Sequence, residues 1–203
     1  MLEGYKILQK GGVGELVEKK SKFIATTYPV STEEEAITFI EATKKKYWNA
    51  SHNCTAYIIG ENYEIQRCSD DGEPSGTAGM PILNVLESNN LNNILCIVIR
   101  YFGGIKLGAG GLVRTYTKAV TECLEKAVIV NLVEGKKLKI KFNYENIKQI
   151  DFILTNIKII DKSFDEKITY TILISDNKYQ EIYHEILNNT VNIVELEKIL
   201  IAE

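Results

Sequence analysis

The stretch ILCIVIRYFGGIKLGAGGLVR, Ile94 to Arg114, decides how the first part of the chain is built. Its first six residues are apolar without alternation and lie between Asn92-Asn93 and Arg100, the composition of a strand buried on both faces. Such a strand belongs in the middle of a sheet. Gly103, Gly104, Gly108, Gly110 and Gly111 follow, and then Leu112, Tyr116, Ala119, Val120, Cys123 and Ala127 recur at helical spacing. A glycine loop opening into a helix lets a ligand approach the backbone, and the free N–H groups at the helix start favour an anion. Arg100, Lys106 and Arg114 add positive charge around that loop. The loop is not a Walker A motif, because no Gly-Lys-Ser/Thr step is present, and GxGxxG in a βαβ setting is not satisfied. An anion site and a purely structural turn both fit the pattern.

Upstream, two strands are expected near Tyr5 to Gln9 and Gly14 to Thr27, joined at Lys10-Gly11-Gly12. Ser31-Thr32-Glu33-Glu34 has capping-box spacing, and Ala36, Ile37, Phe39 and Ile40 extend a helix to about Lys46. The three lysines at its end suit the negative pole of the helix dipole. Cys54 to Ile59 and Tyr63 to Arg67 flank Gly60-Glu61-Asn62 as a hairpin. Ser69 to Gly79 reads as a polar loop, and Pro81 to Glu87 as a helix interrupted early by its proline.

Downstream the pattern is more regular. Leu138, Ile140 and Phe142 alternate with Lys137, Lys139 and Lys141, giving a strand with one wet face. Ile147, Ile150, Ile153 and Leu154 make a helix, Ile157 to Ser163 and Ile168 to Ile174 two strands, Tyr179 to Leu187 a second helix, and Val191 to Leu200 a last strand. The order is βαββαβ, the ferredoxin-like split motif.

Composition places the boundary between the two parts. Thirteen of the fourteen glycines and all three prolines lie at or before position 111, and none of either follows Gly135. Residues 1–134 are therefore read as one domain with two glycine-rich loops and 135–203 as a second, more regular one. The 203 residues carry a net charge of −3, and both parts are close to neutral, so neither is a basic arm. A nucleic-acid site would have to be a local patch. The longest apolar runs fall short of the roughly 18 residues of a membrane helix, and the start MLEGYKILQK lacks the layout of a signal peptide. A cytoplasmic protein with no membrane role is expected. Cys54, Cys68, Cys96 and Cys123 are irregularly spaced without a CxxC, as free thiols in a reducing compartment would be.

Two further segments could carry chemistry. In Ser51-His52-Asn53-Cys54 a histidine stands beside a cysteine, but strand alternation sends Cys54 into the core with Ala56 and Ile58, leaving His52 a capping or hydrogen-bonding role. In Ser69-Asp70-Asp71-Gly72-Glu73-Pro74-Ser75-Gly76-Thr77-Ala78-Gly79, the carboxylates of Asp70, Asp71 and Glu73 could hold Mg²⁺. They could equally shape the turn by accepting backbone hydrogen bonds while Ser75 or Thr77 caps the next helix. No other cofactor is expected.

The blocks Ser51 to Tyr57, Ser69 to Gly79 and Arg100 to Arg114 resemble the three signature blocks of the YigZ/IMPACT family. The resemblance implies an α+β fold, with an N-terminal domain like those of RNase PH and the fourth domain of elongation factor G, followed by a ferredoxin-like domain. Eukaryotic members carry an extra N-terminal domain and regulate translation initiation through an amino-acid-starvation kinase, a role that does not transfer to the shared domain alone. For bacterial-type members the family implies binding to nucleic acid or the translation machinery rather than a defined reaction, so no catalytic residue is inherited. The function expected is that of a non-enzymatic, translation-associated regulator or RNA-binding protein. RNA or a ribosome-associated factor would be its partner, with phosphate held by Arg100, Lys106, Arg114 and the backbone from Gly103 to Gly111. The alternatives are a metal-dependent phosphate-ester hydrolase or phosphotransferase, using Asp70, Asp71 and Glu73 opposite the glycine loop, and a protein-interaction module. The sequence specifies no oligomeric state.

Overall fold

A computed structural model describes residues 5–60 and 62–202. The chain divides into two compact units, the first spanning Tyr5–Val130 and the second running from Asn131 onward. The architecture is mixed α and β, with two sheets. The segment Met1–Gly4, which bears on the signal-peptide reading, and Glu61 of the expected hairpin turn lie outside the described residues.

The first unit contains β1 (Tyr5–Lys10), β2 (Val13–Glu18), β3 (Ser21–Pro29), α1 (Glu33–Lys46), β4 (His52–Ile59), β5 (Ile65–Ser69), α2 (Gly79–Ser88), β6 (Ile94–Tyr101) and α3 (Ala109–Leu124). Strands β2-β3-β6-β4-β5 form an antiparallel sheet with β6 at its centre, where its unbroken apolar run predicts it. Both faces of β6 are covered. Cys96 and Val98 join the core built with Ile82 and Leu86 of α2 and Tyr116 and Val120 of α3. Leu95, Ile97 and Ile99 join a smaller core on the other face with Val30, Tyr57 and Ala36 of α1. The pleat thus sends alternate residues of one strand into two separate cores.

Several local expectations shift. The segment read as one strand from Gly14 to Thr27 is a hairpin, because Lys19 and Lys20 take positive φ angles of 45° and 67° and reverse the chain. Neither residue is one of the usual Asn or Gly turn formers, so the turn left no signal. The α1 capping pattern sits one residue later than expected: Thr32 Oγ1 accepts the Glu35 N–H at 3.2 Å, and Glu35 Oε2 accepts the Ser31 N–H at 2.7 Å. Pro81 does not interrupt α2. It occupies the first turn, where a missing N–H leaves no intrahelical bond broken. Beyond the end of α1, Trp48 stands 82% exposed.

The strand β7 (Val128–Phe142) leads into the second unit, which continues with α4 (Ile147–Ile153), β8 (Lys158–Phe164), β9 (Ile168–Ser175), α5 (Asp176–Asn189) and β10 (Asn192–Ala202). These four strands stand in the order β10-β7-β9-β8, each antiparallel to its neighbour. Leu138, Ile140 and Phe142 of β7 are buried with Ile168, Tyr170, Ile172 and Ile174 of β9, beneath Ile150 and Ile153 of α4 and Ile186 of α5. The alternating lysines of β7 mark its other face, as their period requires. Among the described residues no helix is long and apolar enough to cross a membrane.

Candidate functional site

The antiparallel register places His52 of β4 opposite Arg100 of β6, and Arg100 opposite Phe23 of β3. These three side chains form a row on the α3 side of the sheet, near the point where β6 runs out into the glycine loop. Arg100 is only 4% exposed. Its guanidinium lies over the rings of Phe23 and Phe102, at 5.3 and 5.5 Å from their centroids. Nη1 donates to Glu73 Oε1 at 2.5 Å, and Nη2 to Ser21 Oγ at 3.4 Å. Nε is buried and has no hydrogen-bond partner.

Glu73 is itself buried and takes a second hydrogen bond on Oε1, from the Tyr116 hydroxyl at 2.8 Å. The Tyr116 hydroxyl also accepts from the Cys54 thiol at 3.3 Å. Burial, with reinforcement from the carboxylates of Glu73, Asp71 and Asp70, pushes the Cys54 thiol up to about 12, against a smaller lowering by its bond to Tyr116. Desolvation likewise drives Tyr116 far above the ordinary phenol range, helped by the charges and hydrogen bonds of Cys54 and Glu73. Burial thus favours the neutral thiol over the thiolate that nucleophilic attack requires. His52 Nδ1 lies 3.0 Å from the Asp71 carbonyl and Nε2 lies 3.8 Å from Glu73 Oε2.

The acidic loop does not gather its three carboxylates. Asp70 faces its own loop and α2: Oδ1 accepts the N–H groups of Ala78 and Gly79 at 3.0 and 2.8 Å, and Oδ2 that of Gly76 at 2.8 Å. It caps α2 from nine residues upstream, because the N-cap residue Ala78 has no side-chain acceptor. Ser75 and Thr77 do not serve as that cap; the Thr77 hydroxyl donates instead to the Pro74 carbonyl. Burial opposes ionisation of Asp70, yet the three N–H bonds outweigh it and lower its pKa. Asp71 accepts the Asn53 N–H on Oδ2 and pairs with Lys44 on Oδ1, both at 2.7 Å. Among the described residues no group of three His, Cys, Asp or Glu side chains is arranged to hold a metal ion.

The glycine loop fixes the opposite wall. Gly103 is required by packing: a Cβ there would fall 2.0 Å from the carbonyl carbon of Lys20 in the β2–β3 turn. Gly108, the N-cap of α3, has φ 75° and ψ 163°, a region open essentially to glycine alone. No side chain caps α3, so the N–H groups of its first turn face outward. Between the two walls lies a cleft of about 330 Å³. Its polar lining is His52, Glu73, Arg100 and Lys106, its apolar lining Pro74, Phe102, Leu107 and Leu112, and its floor includes Gly108 and Ala109 at the head of α3.

The structure therefore brings His52, Glu73, Arg100, Lys106 and Gly108 together, and sends Asp70 and Asp71 to structural partners. Arg100 is a buried member of an ion pair rather than a surface cation. Lys106 is exposed and makes no ion pair among the described residues. Arg114 departs from the grouping: with Gly111 it borders a separate depression of about 190 Å³, beside Glu18, Lys19 and Lys118. Gly104 has φ 84° in open space, and Gly110 lies within the first turn of α3. The sequence alone does not mark Tyr116, Phe102 and Leu107 as site residues. For Tyr116 a signal existed, since a tyrosine on the buried face of a helix needs a partner for its hydroxyl.

Comparison with known proteins gives a consistent picture. Residues 19–124 match the Impact N-terminal domain. The chain is similar to the IMPACT family member YvyE of Bacillus subtilis, 42% identical over 205 residues that cover 97% of this chain and 93% of that protein. It is similar also to the IMPACT family member YigZ of Escherichia coli, 31% identical over 80% of this chain and 82% of the relative. A crystal structure of a hypothetical protein, 26% identical, superposes with a TM-score of 0.63 over 97% of this chain and 99% of that one.

Proposed function

The chain belongs to the IMPACT family, and from that premise we propose that it is a translation-associated regulatory protein that binds RNA through the cleft between the acidic and glycine loops. The observation that carries the reading is the pairing of an uncapped α3 N-terminus with the unpartnered Nε of buried Arg100 on one cleft. A phosphate there would meet helix N–H groups, a guanidinium N–H and the exposed charge of Lys106. Because the whole chain carries −3, this local patch, not global charge, would supply the attraction. The order β10-β7-β9-β8 supports a ferredoxin-like second domain, and the family resemblance supports an RNase PH-like first domain. Four unpaired cysteines agree with a cytoplasmic setting.

The metal-dependent hydrolase reading draws no support from the carboxylates, which face different partners. The test of the RNA reading is association with ribosomal subunits or structured RNA as a function of salt. Affinity should fall steeply with ionic strength, and Lys106→Glu should weaken binding and flatten the slope by about one counterion. Salt-insensitive association, or none at low ionic strength, would remove its basis.

A further inference from the structure

We propose that this cleft selects ribose over deoxyribose, with His52 as the group that reads the 2′-hydroxyl. The inference rests on the phosphate reading above and extends it from a charge to a sugar.

It begins with the tautomer of His52. The Asp71 carbonyl can only accept, so the neutral ring carries its proton on Nδ1, 3.0 Å away, and presents a bare lone pair at Nε2. Nε2 stands 3.8 Å from Glu73 Oε2, outside hydrogen-bond range. The other oxygen of Glu73 is already held by Arg100 and Tyr116, so the carboxylate does not turn to supply a donor. Two acceptors thus face one side of the cleft with no donor between them, and a ligand bound there must bring an O–H or N–H.

Beside these acceptors, on the neighbouring strand, the requirement is the opposite. Arg100 Nε is a buried donor without an acceptor, and Arg100 lines the same cleft as Lys106 and the head of α3. The ligand must therefore present an anion and a hydrogen-bond donor at close quarters. A 3′-phosphodiester with its neighbouring 2′-hydroxyl meets both demands at adjacent atoms, whereas the deoxyribose of DNA carries no donor beside its phosphate. Phe102, 49% exposed on the rim, offers a ring against which the sugar or base can lie.

The test measures binding of the full chain to a uridine decamer, its deoxyuridine counterpart and its 2′-O-methyl form, by fluorescence anisotropy at one low ionic strength. The unmodified RNA should bind about tenfold more tightly than either analogue, the effect of one hydrogen bond to an otherwise unpaired acceptor. In His52→Leu that preference should vanish, the RNA falling to the affinity that the variant has for the deoxy strand. In Lys106→Ala all three affinities should fall together and the preference persist. Equal binding of the three probes to the wild-type chain, or an undiminished preference in His52→Leu, overturns the sugar inference and leaves the phosphate reading standing. Failure of all three probes to bind removes both. The 2′-O-methyl comparison needs no variant, so it decides the matter even if His52→Leu does not fold.

Discussion

Cys54 and Cys68 differ in ways their sequence settings do not announce. Cys54 is fully buried, its single S–H shared between the Asp70 carbonyl at 3.0 Å and the Tyr116 hydroxyl at 3.3 Å, whereas Cys68 is exposed on β5. In the native protein at pH 8, a thiol reagent should label Cys68 rapidly and Cys54, Cys96 and Cys123 only as fast as the chain opens. Mass mapping of the labelled peptides checks this, and fast labelling of Cys54 would contradict the buried network. Asp70 supports a second prediction. Asp70→Asn should cost about 1–3 kcal/mol near pH 7, through weakened N–H bonds to the head of α2. A carboxyl with a lowered native pKa stabilises the fold above its unfolded value, near 3.9, and loses that contribution as pH falls through the native value. The gap between wild type and variant in urea midpoint should therefore be constant from pH 5 to 7 and shrink below about pH 4. Much of the site was legible at this scale, because His52, Glu73, Arg100 and Lys106 lie in segments whose residue types invite attention. What could not be read was direction. Asp70, Asp71 and Glu73 sit within four positions, yet one caps a helix, one ties β4 to α1 and one enters the core. Asp70 finds its partners within the next nine residues, whereas those of Asp71 and Glu73 are Lys44, Asn53, Arg100 and Tyr116 elsewhere in the chain.

At the level of elements, the glycine loop is held by the β2–β3 turn. The backbone of Gly103 rests against Lys20, and its N–H donates to Ser21 Oγ at 3.1 Å. Gly103→Ala should force these segments apart and destabilise the protein by more than 1 kcal/mol, with Gly108→Ala adding the cost of an unfavourable φ/ψ, about 1–3 kcal/mol. Differential denaturation with urea measures both, and a variant at either position as stable as wild type would sink the assignment. The elements themselves followed from periodicity: β6 from its apolar run, α3 from the spacing of Leu112, Tyr116 and Val120, and the second unit from its alternation of lysine with aliphatic residues. The β2–β3 turn escaped detection because Lys19-Lys20 continues a charged, strand-like pattern, and its reversal depends on φ angles that lysine rarely adopts. Its role against Gly103 was accordingly invisible too.

At the scale of the whole chain, the two compact units each have a core of their own. The second packs Ile140, Phe142, Ile150, Ile172 and Ile186 with others into one cluster, so a fragment beginning at Val128 should fold by itself with the few kcal/mol usual for a small domain. Dispersed amide resonances and a cooperative urea transition would bear this out, and a collapsed amide spectrum would count against it. The buried Glu73–Arg100 pair gives the first unit a corresponding vulnerability. Glu73→Ala should cost about 3–5 kcal/mol, as removal of one partner strands the other charge, and a double change to Glu73→Leu with Arg100→Met should recover part of it in thermal melts. Trp48, the single tryptophan, brings a practical consequence for such melts. Standing 82% exposed, it already emits from water in the native state, so its fluorescence maximum will barely move on unfolding. Intrinsic emission is thus a poor gauge of core integrity in this molecule and a sensitive one for anything that settles against the end of α1.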